Sequence, residues 1–518
     1  YDYDSLGRRT LESDPDLGVR AHELDGAGRV IVTTDALAQR TERSYDLLGR
    51  LRTKTSRAGT PGAVTDTRTY DEARPGSFNV GLLTRVEDAA GVATFDYDQS
   101  GRWIRKSRTI DGQSFEHRRA YDAAGRVLNT TYPDGDAVGA SDDPITYDGA
   151  GDPKRIPGIL LDARYAANGA VEELQLANGL RTTRSYSPQR RWLSGIRTEG
   201  QGTLLQDLRY DYDAEGKLAD VASPFPGEGW SFRFDELHRL QVAESKSSGW
   251  DTQTFYYDTV GKILENSRVG CYTYGPAGGA QPHAVLSAGA ALYQYDDNGN
   301  MTSWAGRPIV YDGEDRAVSI DGDLHTYSGE GERVRQIAGG VTTYYLDEGF
   351  EISEGLATKV ITAGSIPIAK RVGQDTFWLH TDHLGSIQAV SDRFGHQVQR
   401  KSYRPFGEEL ASLTSHPQTT SYIGEQRDPN GLLYLHARFY DPALGRFLNA
   451  DPTMPTQAGV GLERYAYAAN DPVNHVDHSG LAWDGPLAAD WVVNAAAGFG
   501  DAATMGLSSW IRSAADIG

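Results

Sequence analysis

Tyr45 to Ser56 reads YDLLGRLRTKTS. Its first seven residues recur along the chain, and each has a physical task. The aromatic favours a strand, where its ring covers one face. Asp opens a turn by accepting hydrogen bonds from backbone amides just downstream. Two variable residues follow, and Gly then supplies the left-handed conformation that closes such a loop with a bulge. The basic and apolar residues start the return strand. That strand alternates, with Leu51, Thr53 and Thr55 on one face and Arg50, Arg52 and Lys54 on the other. The unit is a β-hairpin step.

The same unit stands at Tyr3 (YDSLGRR), Tyr97 (YDQSGRW), Tyr121 (YDAAGRV), Tyr212 (YDAEGKL), Phe234 (FDELHRL), Tyr257 (YDTVGKI) and Tyr295 (YDDNGNM). Weaker copies start at Leu24 and Tyr147. Within the runs at Tyr3, Leu24 and Tyr45, at Tyr97, Tyr121 and Tyr147, and at Tyr212, Phe234 and Tyr257, copies start about 20 to 26 residues apart, a period typical of repeat architectures. A single unit cannot bury its own face and must stack on its neighbours. The repeat aspartates are therefore architectural. The period is short for a propeller blade of about 40 residues, which leaves a wound sheet or a solenoid.

Composition agrees. Of 518 residues, 39% are hydrophobic, low for a thick core; Tyr (28) outnumbers Phe (14), and Gly reaches 59. Net charge is −20, and no stretch gathers Lys and Arg without acids beside them, so nucleic acid is not an expected partner. Cys271 is the single cysteine and excludes an intrachain disulfide. No run of about 18 apolar residues predicts a transmembrane helix, and no signal peptide is seen. The chain opens inside a repeat, as expected for a fragment of a longer polypeptide.

After about residue 340 the spacing gives way to longer motifs: WLHTDHLGSIQAVSD, YRPFGEE, YIGEQRDPNGLLYLHARFYDPALGRFLNADP and ERYAYAANDPVNHVDHSGL. With the repeats, these resemble the RHS/YD-repeat family, which includes bacterial Rhs polymorphic toxins, the C component of Tc insecticidal toxins and, more distantly, teneurins. The resemblance covers nearly all of residues 1–481. It implies a mostly β fold, hairpins wound into a hollow shell or cocoon, with a variable C-terminal toxin held inside. It also implies a division into a repeat shell (1–340), a core-associated domain that closes it (341–481) and the start of a toxin or pre-toxin segment (482–518). Residues 482–518 are rich in Ala and read as one or two short helices broken near Gly498 and Gly500.

In the family, the core domain is an aspartic protease that cuts its own chain once, after a DPxGL motif. Here the motif reads Asp477-His478-Ser479-Gly480-Leu481, with His where Pro is usual, which puts the scissile bond at Leu481–Ala482. Amide hydrolysis by carboxylates needs two of them close together, one protonated and one ionised. The resemblance assigns those roles to Asp451 and Asp477, with Arg438 as a required cation. On the residues alone, Asp-Pro is a common turn starter, as at Asp428, Asp441 and Asp471. Asp441 and Arg446 read as positioning residues. His380, Asp382 and His383 invite a metal reading, but no further cluster with zinc spacing accompanies them, so a turn motif is expected and no metal or cofactor.

The implied function is a toxin-delivery shell, secreted or delivered by a bacterial secretion system, that performs one intramolecular hydrolysis. Its implied partners are its own enclosed C-terminal toxin, a secretion apparatus or toxin-complex components, and an immunity protein. The alternatives are a non-cleaving cell-surface adhesion protein and a carbohydrate-binding wall protein.

Overall fold

The computed structural model describes residues 1–247, 252–276, 278–347, 349–414, 420–453 and 462–481. The expectations for Ala482, and for short helices in residues 482–518, lie outside them. Nearly everything described is strand and turn; helix is confined to short 3₁₀ turns such as Tyr422–Gly424 and Ala468–Asn470.

The repeat turn is built as its residues require. Asp46 Oδ1 accepts from the amides of Leu48 and Arg50, both at 2.9 Å, and Oδ2 accepts from Arg50 Nε at 2.7 Å. Gly49 sits at φ 82°, and the strand register slips between Ser44 and Tyr45, the bulge that Gly permits. The same contacts recur at Asp4, Asp25, Asp98, Asp122 and Asp235. In FDELHRL the left-handed position is held by His238, at φ 62°.

Successive repeats are also locked to each other. The Tyr121 hydroxyl donates to the Trp103 carbonyl at 2.8 Å, and that of Tyr147 to Val127 at 2.8 Å. In each case the acceptor is the apolar residue that ends the preceding unit. Arg102 of one unit lies 4.8 Å from the Tyr121 ring of the next and donates Nη1 to the Asp122 carbonyl at 3.1 Å. This explains why Tyr outnumbers Phe: the ring fills the wall and its hydroxyl pins the neighbour. Tyr121→Phe should lower stability by about 1 kcal/mol, seen as a lower urea midpoint with unchanged slope.

Strands pair in chain order. Thirteen run from Asp2–Tyr3 to Ala137–Val138, and twenty-six from Leu160–Tyr165 to Glu409–Thr414, each antiparallel to the next; a two-stranded pair, Thr146–Tyr147 with Pro153–Arg155, lies between them. The long run crosses residue 340 without a break in this order. The two sheets are tied by ion pairs between residues far apart in sequence. Lys54 meets Glu314 at 2.6 Å, Lys359 meets both Asp134 and Asp136 at 2.6 Å, and Arg335 meets Asp111 at 2.7 Å. Near the start of the chain, Asp14 pairs with Arg464 at 2.7 Å and Asp16 with His283 at 2.6 Å.

A separate four-stranded sheet follows: Gln426–Arg427, Leu433–Leu435, Arg438–Asp441 and Arg446–Phe447. Its Leu433, Leu435, Tyr440 and Phe447 pack with Tyr467 and Val476 against Leu208, Phe232 and Phe255 of the long sheet. Between the sheets lies a cavity of ≈ 1290 Å³, lined by Phe95 and His117 of the first sheet, Arg316 and Thr358 of the second, and Arg438 and Leu481 of the C-terminal block. The molecule is a hollow β-shell, as the resemblance implied, and the C-terminal block reaches its inner wall.

Candidate active site

Arg438 begins the strand Arg438–Asp441 and is buried, with its guanidinium carbon 3.6 Å from the centre of the Phe447 ring. The stacking leaves the planar edge of the guanidinium to make directed contacts. Nη2 lies 3.1 Å from Asp451 Oδ2 and 3.6 Å from Asp477 Oδ2. Nη1 donates to the Arg464 carbonyl at 2.8 Å, and Nε donates to the Gly480 carbonyl. One side chain thus gathers both candidate aspartates and the loop that ends at Leu481. All three sequence-derived residues meet.

Each aspartate is fixed locally. Asp451 accepts on Oδ1 from the Thr453 amide at 2.7 Å, while its own amide donates to the Arg464 carbonyl at 3.0 Å. Asp477 accepts on Oδ1 from Ser479 Oγ at 3.1 Å and from the Leu481 amide at 3.2 Å. Burial pushes the Asp477 carboxyl up to about 6; nearby Asp451 adds to the rise, and Arg438 and Ser479 oppose it. The environment therefore favours a proton on Asp477 beside an Asp451 that is ion-paired with Arg438, the asymmetry that acid–base chemistry by a carboxyl pair needs.

The loop fits only because of Gly480. It adopts φ 68°, and a Cβ there would stand 2.4 Å from the Leu435 carbonyl oxygen and 3.0 Å from the Arg438 amide nitrogen. The Ala437 amide donates to the Ser479 carbonyl at 3.2 Å, which lays the loop along the hairpin that carries Arg438. Leu481 is buried and lines the cavity wall.

Other sequence candidates stand elsewhere. Asp441 accepts from Trp304 Nε1 at 2.8 Å and from the Ala443 and Leu444 amides, anchoring the block to the long sheet. Arg446 forms a buried pair with Glu463 at 2.6 Å. Asp382 caps a repeat-type turn through the Leu384 and Ser386 amides. His380 Nε2 meets Ser391 Oγ at 2.8 Å, and His383 Nε2 meets the Val473 carbonyl at 3.0 Å. Among the described residues no cluster of His, Cys, Asp and Glu is placed to hold a metal ion, and no helix is long and apolar enough to cross a membrane. Sequence reasoning did not single out Ser479, Arg464, Glu425 or His436, although all four line or buttress the site.

The raised carboxyl has a consequence for stability. The folded chain holds a proton on Asp477 up to about pH 6, whereas the unfolded chain releases it near 3.8. Stability from this group is therefore present at low pH and lost as pH rises through that window. In an Asp451→Asn background, Asp477→Asn should be more stable by about 2 kcal/mol at pH 8 and indistinguishable near pH 3. Urea unfolding at the two pH values measures the difference.

A Teneurin YD-shell family model matches residues 362–473. The chain is 23% identical to toxin subunit YenC2 of Yersinia entomophaga, over 81% of this chain and 52% of that protein. It is 25% identical to double-stranded DNA deaminase toxin A of Burkholderia cenocepacia, over 75% of this chain and 22% of that one. In the crystal structure of TcdB2–TccC3–Cdc42, 95% of this chain superposes on 28% of the matched chain, with a TM-score of 0.79 at 20% identity. The fold is thus a YD-repeat shell of the kind found in Tc toxins. Along most of its length the chain is similar to RHS/YD-repeat proteins, and it spans about half the length, or less, of the relatives it matches.

Proposed function

We propose that this chain is the enclosing shell of a secreted toxin and that it cuts itself once, between Leu481 and Ala482. The observation that carries this reading is the convergence of Asp451, Asp477 and the Gly480 carbonyl on Arg438. The toxin relatives support the enclosing role. Leu481 at the cavity wall supports a chain that continues from inside the shell.

In this mechanism Asp451 takes a proton from a water molecule, whose oxygen attacks the Leu481 carbonyl carbon. Asp477 gives its proton to the scissile amide, first at the oxygen and, as the tetrahedral adduct collapses, in favour of the Ala482 nitrogen. Leu481 keeps the new carboxyl group and Ala482 the new amine, so one water is consumed. Arg438 holds both carboxyls and the Gly480 carbonyl in register, and because the bond belongs to the same chain, proximity does much of the work. Its partners in this reading are its own C-terminal segment, retained in the shell after the cut, toxin-complex or secretion components, and an immunity protein. The test is the intact mass of purified protein with its full C-terminal extension. Two masses that meet between Leu481 and Ala482 are expected; a single polypeptide would favour a non-cleaving surface protein.

A further inference from the structure

Beside the cleavage loop, along the same cavity as Arg438, sits a second cluster that the mechanism does not use. Glu425 follows the Tyr422–Gly424 turn, and its backbone is fixed there: its amide donates to the Tyr422 carbonyl at 3.0 Å and its carbonyl accepts from the Ser421 amide at 2.8 Å. Its two carboxylate oxygens reach two imidazoles. Oε1 lies 3.3 Å from His478 Nδ1, and Oε2 lies 3.4 Å from His436 Nε2. His478 directly follows Asp477. His436 occupies the left-handed turn, φ 56°, of the hairpin that presents Arg438.

We propose that Glu425, by gripping His478 and His436 together, is a positioning residue for the cut: it clamps the loop of residues 477–481 to the Arg438 hairpin. This rests on the self-cleavage reading. Consecutive side chains hold the loop, Asp477 on Arg438 and His478 on Glu425. Where the resembling motif has a proline, which stiffens the chain through its ring, this chain has an imidazole held by an anion. The Glu425 carboxylate is suited to that task, since both imidazoles lower its pKa against the effect of burial, to about 2.

The test is a double-mutant cycle on the rate of self-cleavage, paired with hydrogen exchange of the loop. Glu425→Gln should slow the cut about tenfold, His478→Gln by a similar factor, and the double variant no further, because either change breaks the same contact. Glu425→Gln with His478→Pro should regain much of the wild-type rate, which a role in general stability would not allow. In an uncut Asp451→Asn background, Glu425→Gln should speed amide exchange in residues 477–481 about tenfold. Should Glu425→Gln not fold, His478→Gln decides by the same two readouts. Cleavage at the wild-type rate with unchanged exchange, or losses that multiply in the double variant, would overturn the clamp. If the loop loosens but the wild-type chain is never cut, the clamp stands and the self-cleavage reading falls. If the wild type is cut and the variants are cut equally fast, the reverse holds.

Discussion

Asp451→Asn and Asp477→Asn should each leave the chain in one piece. Both replacements keep the shape of the side chain and remove its capacity to take or give a proton at the scissile bond. Acid–base catalysis by a placed group contributes roughly 10²- to 10⁴-fold, and in the proposed mechanism the aspartates act as a unit, so each single change should forfeit most of the joint effect. The cut fraction, followed by intact mass, should be near zero over times in which the wild type is fully cleaved. Wild-type cleavage should also slow above about pH 6, where Asp477 loses its proton, by about tenfold per pH unit. Arg438→Lys should fold yet cut poorly, because an ammonium cannot span two carboxyls and two carbonyls as a planar guanidinium does. Cleavage of both Asn variants at the wild-type rate would remove the assignment.

The second large effect is on stability. Asp428→Ala should cost about 3 to 5 kcal/mol. Arg333, on the long sheet, and Asp428, in the C-terminal block, form an almost fully buried pair at 2.6 Å. Gln336 also donates to Asp428, Arg333 donates to Gln426, and the guanidinium lies 4.2 Å from the Tyr434 ring. Removing the carboxylate strands a buried cation at the seam between wall and block. Replacing both partners with apolar residues of similar volume should cost much less than either single change, since two buried ions give back in desolvation much of what they gain in attraction. Urea unfolding of the three variants in the Asp451→Asn background makes the comparison on an uncut chain.

Much of this was legible in the sequence, for reasons tied to distance along the chain. The turn around Asp46 is local, because every partner of that carboxylate lies within four residues, and the YD spacing exposes it. The lock between Tyr121 and Trp103 spans 18 residues and shows only as an unexplained excess of Tyr over Phe. Asp428 illustrates a harder case. Its Asp-Pro context reads as a turn, and the backbone does turn there through Gly431, but the carboxylate reaches Arg333, 95 residues away. Asp451 and Asp477 were readable only through family resemblance, since turn aspartates and acid–base aspartates look alike in a string. Glu425, His436 and His478 come from three separate segments, and no periodicity links them before the chain folds.

The pairing of strands in sequence order within each sheet also governs how such a wall is made and unmade. Sheets that join distant segments must close long loops before any contact rewards them, and they fold slowly for that reason. Here the contact order of the wall itself is low, so hairpins can be added one at a time as the chain emerges, in the manner of a one-dimensional array. Pulled from one end, the same wall should peel hairpin by hairpin instead of yielding all at once. Asp14 and Arg464, 450 residues apart, tie the start of the wall to the C-terminal block, a contact that should form only once the hairpins between them are in place.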